Sequence, residues 1–138
     1  MNGGVMTINV RVLAVDELVG SNVTDPLDFE RAKMIFRRVV ESIDGTRDQR
    51  IMLDSRNLNS ELPVGAMWHL AAELVQYAPA FSGRTALLTR PERLEHMRFL
   101  ALSAQNRGFA FEAFDNYEEA FAWLVEDQPQ REKPWLSH

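Results

Sequence analysis

The sequence has no cysteine and only two lysines, Lys33 and Lys133. The first absence excludes disulfides, thiol nucleophiles and cysteine-bound metal. The second confines any lysine chemistry to two positions, one of them in a polar C-terminal stretch. Histidine is scarce as well, and His69, His96 and His138 have no metal-ligand spacing, so neither a metal site nor a cofactor is expected. No apolar run approaches the roughly 18 residues of a membrane span. The glycine-rich and catalytic signatures G-x-G-x-x-G, G-x-x-x-x-G-K-[ST], G-x-S-x-G and H-E-x-x-H are all missing. A net charge of −5 argues against a nucleic-acid partner, because phosphate binding needs clustered positive charge.

What remains is an ordinary globular composition. The 138 residues are 46% hydrophobic and 25% charged, enough for one domain around one core. Residues 1–7 read as an N-terminal extension without signal-peptide character, 8–126 as the α/β domain and 127–138 as a polar tail. The expected location is cytoplasmic.

Four apolar, β-rich segments predict strands: Ile8–Val15, Arg50–Asp54, Thr85–Thr89 and Phe109–Phe114, the last with Phe109 and Phe111 on one face and Phe114 on the other. Glu17–Val23 is a candidate for a short fifth. Between and after them lie four helices. The first is capped at Asp25-Pro26 and stopped at Gly45. The second runs from about Pro63 to Ala78. The third opens on the capping box Thr89-Arg90-Pro91-Glu92 and ends at Gly108, and the fourth opens on Asp115. Strands alternating with helices imply right-handed βαβ crossovers. The expected fold is α/β: one mostly parallel sheet of four to five strands with about four helices. Its core should include Ile35, Phe36, Val39, Ile51, Leu53, Trp68, Leu74, Leu87, Leu88, Phe111, Phe121 and Leu124. His69 and His96 fall on the outer faces of their helices.

Ligands of parallel sheets sit at the carboxyl ends of the strands. The densest polar stretch there is Asp54–Glu61, containing Asp54, Ser55, Arg56, Asn57, Asn59 and Ser60. It either holds an anion or phosphorylated hydroxyl at the following helix start, or only satisfies turn and cap hydrogen bonds. The third helix is apolar round most of its circumference. Phe99, Leu100 and Leu102 lie off its core face, so they either meet a partner, such as a second copy in a homodimer, or are covered by a neighbouring helix or by Trp135-Leu136.

The strand Ile51–Asp54 with its polar loop, the strand Thr85–Thr89 and above all the ending Phe114–Leu124 (FDNYEEAFAWL) resemble the STAS and SpoIIAA-like superfamily over roughly residues 8–126. That resemblance implies a non-enzymatic, regulatory module that binds a protein partner or a small apolar ligand. Antagonists of this fold are phosphorylated on a serine. The matching stretch Leu58–Pro63 places Ser60 nearest to it, with Asn59 before and no glycine directly after. An alternative resemblance is to phosphoacceptor receiver domains, with Asp16-Glu17 as the acidic pair, Asp54 as the phosphorylated aspartate and Thr89 as the hydroxyl residue. Against it, no lysine follows the last strand, and the segment from Glu17 to Asp25 is long.

Overall fold

The computed structural model describes residues 9–18, 29–43, 49–58 and 62–126. Four strands, β1 (Val10–Ala14), β2 (Arg50–Asp54), β3 (Arg84–Leu88) and β4 (Ala110–Phe114), form one parallel sheet in the order β1-β2-β3-β4. Helix α1 (Val15–Leu18) is a single turn directly after β1, where the sequence suggests the start of a fifth strand; residues 19–23 lie outside the described residues. Helix α2 (Phe29–Ser42) precedes β2, α3 (Val64–Glu73) precedes β3, α4 (Leu94–Gln105) precedes β4, and α5 (Tyr117–Val125) follows it. None of these helices is long and apolar enough to cross a membrane.

A parallel sheet that grows in one direction through right-handed crossovers places every crossover helix on the same face. The burial pattern follows. Alternate residues Ile51, Leu53, Leu87, Phe111 and Ala113 face α2, α3 and α4 in the larger core. The intervening Met52, Ala86 and Leu88 face Ala120 and Leu124 of α5 in the smaller one. Phe109 and Phe111 thus fall on one side and Phe114 on the other, as the alternation predicts.

Helix ends explain several boundaries. Gly108, at φ 93°, ends α4 with Gly108 N donating to Gln105 O and Phe109 N to Ala104 O, a Schellman closure that favours glycine. Asn116, one residue after the expected Asp115, caps α5 by accepting from Glu119 N at 2.9 Å. The C-terminal carbonyls of α5 take arginines from the sheet: Arg50 donates to Leu124 O, and Arg84 to Trp123 O. Cations there complement the helix dipole. Helix α3 gives way to a 3₁₀ stretch, Leu74–Phe81, that kinks at Tyr77 and passes through Pro79. The chain therefore continues past the proline expected to end it, and Phe81 enters the core between Phe36 and Phe111, at ring-centroid distances of 5.5 and 5.8 Å. The expected first-helix signals at Asp25-Pro26 and Gly45 lie outside the described residues.

Two expected core residues belong on the surface. Trp68 is 51% exposed, its ring covered on one side by the Arg107 guanidinium. Phe121 is 38% exposed and stacks on Tyr117. Each lies one position away from the inward stripe of a helix that has one sheet face to cover. Accordingly, Leu124→Ala should cost about 2–5 kcal/mol in denaturant unfolding, and Phe121→Ala clearly less; equal losses would contradict this packing. Gly83 is a second test. An ideal Cβ there would lie 1.9 Å from Gln49 O, so Gly83→Ala must push β2 and β3 apart at their start and should cost at least about 1–3 kcal/mol. A thermal midpoint equal to wild type would refute the close approach.

Candidate functional site

The carboxyl ends of the strands are tied together beyond the regular ladder. Ser55, directly after β2, donates its backbone N–H and its hydroxyl to Leu88 O at 2.8 and 2.9 Å. Thr89, directly after β3, donates its N–H to Phe114 O at 2.9 Å. Both residues are buried. Arginines from the next connection brace the loop after β2: Arg90 Nε donates to Arg56 O at 2.7 Å, and Arg93 to Leu58 O at 2.9 Å.

Under this edge lies a cavity of about 70 Å³. Its floor is Leu53, Leu87 and Phe111 of the sheet, and its walls include Phe36 of α2, Met67 of α3 and Leu100 of α4. Four polar residues interrupt the apolar lining: Ser55, Thr89, Arg93 and His96. No carboxylate is among them. The Ser55 hydroxyl is engaged by Leu88 O, whereas Thr89 Oγ1 is buried and without a hydrogen-bond partner. The expected capping box explains the contrast. Pro91 opens a 3₁₀ turn, Pro91–Arg93, before α4, with Arg90 in the cap position and no side-chain cap. The Thr89 hydroxyl is thereby left to face the protein interior. Thr85 also carries an unpaired buried hydroxyl, but it does not line the cavity.

The residues singled out in the sequence divide three ways. Ser55 lines the cavity. Asp54 and Arg56 pair with each other at 2.8 and 2.9 Å through two parallel hydrogen bonds, and Arg56 N closes an Asx turn on Asp54 Oδ1 at 3.0 Å. Burial alone would raise the Asp54 pKa, but the hydrogen bonds and charge of Arg56 outweigh it and hold the carboxyl below its ordinary value. The same bond raises the Arg56 pKa. Asn57 is exposed, and Asn59 and Ser60 lie outside the described residues.

On α4, Leu100 is 8% exposed and walls the cavity, Phe99 is partly buried against the larger core, and Leu102 is 53% exposed. The three do not form one outward stripe. The inward face runs through Leu94, Met97, Ala101 and Ala104, as the apolar spacing of the helix indicates, and extends on one flank to Arg93, His96 and Leu100. His96 is accordingly half-buried, with Nε2 donating to Leu62 O, and is not on the outer face. A three- and four-residue spacing that includes Arg93 and His96 carried this signal, but their polarity hid it. Trp135 and Leu136 lie outside the described residues.

No family model, curated protein or solved structure matches the chain. The receiver resemblance has three observations against it. Receiver domains use the doubly wound order 2-1-3-4-5, and this sheet runs β1-β2-β3-β4. The Asp54 carboxylate is also occupied by Arg56 on both oxygens, and no group of three acidic or histidine residues among the described residues could hold a metal ion.

The Asp54–Arg56 pair makes a pH prediction. An unfolded aspartate titrates near ~3.9, and the folded one lies lower. Its stabilising share is complete above the unfolded pKa and disappears as pH falls through the folded one. The Tm difference between wild type and Asp54→Asn should therefore be largest above about pH 5 and shrink steadily below it. A difference constant down to strongly acidic pH would contradict the pairing.

Proposed function

We propose that this chain is a non-enzymatic module of the SpoIIAA-like kind that holds a small, largely apolar molecule at the carboxyl edge of its sheet. The cavity between the sheet and helices α2, α3 and α4 carries this reading. Ligands of parallel α/β sheets gather at that edge, and apolar walls with a few convergent polar groups are the usual make-up of a small-molecule site. The α/β fold with one parallel sheet is compatible with the family resemblance noted in the sequence. Of the two occupants that the resemblance implies, an apolar recess this small favours a small molecule over a protein partner.

Size limits the occupant. About 70 Å³ is half of the roughly 150 Å³ that admits benzene in an engineered apolar cavity. A chain of a few carbons fits directly. Longer ones need the unbranched Met67 and Met97 to move, which methionine allows easily.

Butan-1-ol and hexan-1-ol are suitable probes. One-to-one, saturable binding is expected by calorimetry, with stabilisation of about 2.7 kcal/mol at a hundredfold excess over Kd. Ala32, fully buried in the cavity wall, can be enlarged. Ala32→Leu should abolish binding, and Leu70→Phe provides a second filled variant. No saturable binding to wild type, or undiminished binding to folded variants, would overturn the proposal.

A further inference from the structure

We infer that the cavity selects a short-chain monocarboxylic acid, its alkyl chain among the apolar walls and its carboxylate toward Arg93 and Thr89. This inference rests on the small-molecule reading above and names the chemistry of the ligand's polar end.

The one charged side chain among the described residues of the wall is a cation. Arg93 is a permanent cation with five N–H donors in a planar fork, and one of its terminal nitrogens donates to Leu58 O. That contact fixes the guanidinium beside the loop after β2, next to the cavity that Arg93 helps to line, and leaves its other nitrogens to receive an acceptor. Thr89 is fully buried, and its hydroxyl has no partner. A buried hydroxyl without a hydrogen bond costs free energy, which a ligand acceptor would recover. The Ser55 hydroxyl and His96 Nε2 are engaged by backbone carbonyls. Among the described residues no acidic side chain lines the space. An amine would therefore meet a like charge with no carboxylate beside it to offset it, and an alcohol would use one donor but not the charge. A carboxylate matches both a guanidinium and a hydroxyl. The whole chain is acidic, with a net charge of −5, so general attraction of anions does not supply the preference. It must come from these local donors.

The test compares matched chains on the full-length protein: butanoate and hexanoate, the corresponding alcohols, and hexylamine, titrated calorimetrically near neutral pH. Each acid should bind about tenfold or more tightly than its alcohol, since a hydrogen bond to a charged group exceeds a neutral one by that order. Hexylamine should bind more weakly than either. Thr89→Val keeps shape and removes the unpaired hydroxyl, so it should fold, and Arg93→Gln removes the charge. Arg93→Gln should lower acid affinity toward that of the alcohol and leave alcohol affinity unchanged, and Thr89→Val should lower acid affinity more than alcohol affinity. Alcohols binding as well as acids would overturn the carboxylate assignment while leaving the apolar cavity reading intact. Binding of neither class would overturn both. Equal loss of acid and alcohol affinity in folded Arg93→Gln and Thr89→Val would also overturn the assignment, because the two residues would then only shape the cavity.

Discussion

Crossover handedness is the constraint on which the rest of this structure depends. Strands added in the order β1-β2-β3-β4, all parallel, send α2, α3 and α4 to one face. That face then carries a three-helix layer and the larger core. Among the described residues the opposite face receives only α5, which covers Met52, Ala86 and Leu88 near the middle of the sheet. It leaves Val12 on the edge strand 44% exposed. The asymmetry sets where space can remain inside the protein. One helix on a sheet packs down closely, whereas three helices must meet above the same strands, and the cavity lies between them and the sheet.

The two ends of the sheet are held differently. At the amino ends of β2 and β3, Arg50 and Arg84 reach the last carbonyls of α5, and Arg84 also stacks on Trp123, 5.0 Å from the ring centroid. Charge, helix dipole and aromatic packing thereby anchor the single helix of that face. At the carboxyl ends, Ser55 and Thr89 carry the backbone ladder one residue beyond the strands, and Arg90 and Arg93 clasp the loop 55–58 from above. This end is the more polar and holds the cavity. Arg93 serves both the clasp and the cavity wall, so the loop and any occupant share a side chain.

Asp54 shows how local pairing redirects a residue that looks functional. An aspartate at the end of a central strand is a natural candidate for chemistry. Here Arg56, two residues on, folds back through an Asx turn and takes both carboxylate oxygens. The result is a loop fastener with a lowered pKa, beside the cavity rather than in it.

Periodicity alone was sufficient to read the strands, the α/β class, the parallel sheet and the glycine stop at Gly108, because each depends on interactions within a few residues or on the alternation of a two-faced strand. The placement of Ser55 at the carboxyl edge of the sheet followed from the same logic. Other features were not local. Phe81 follows a proline that ordinarily ends a helix, yet the 3₁₀ continuation carries it into the core against Phe36 and Phe111. Trp68 and Phe121 are apolar and helical, but which flank of a helix stays in water depends on its roll over the sheet, and that is decided by its neighbours. In α4 the inward face is wider than its apolar stripe and takes in Arg93, His96 and Leu100. Thr89 changes role because its connection begins with a 3₁₀ turn and not with a side-chain cap. The sequence by itself therefore determined the elements and their alternation. Tertiary packing decided which polar groups face a shared apolar space, because that depends on the relative rotation of three helices, and rotation is set by contacts between segments far apart in the chain.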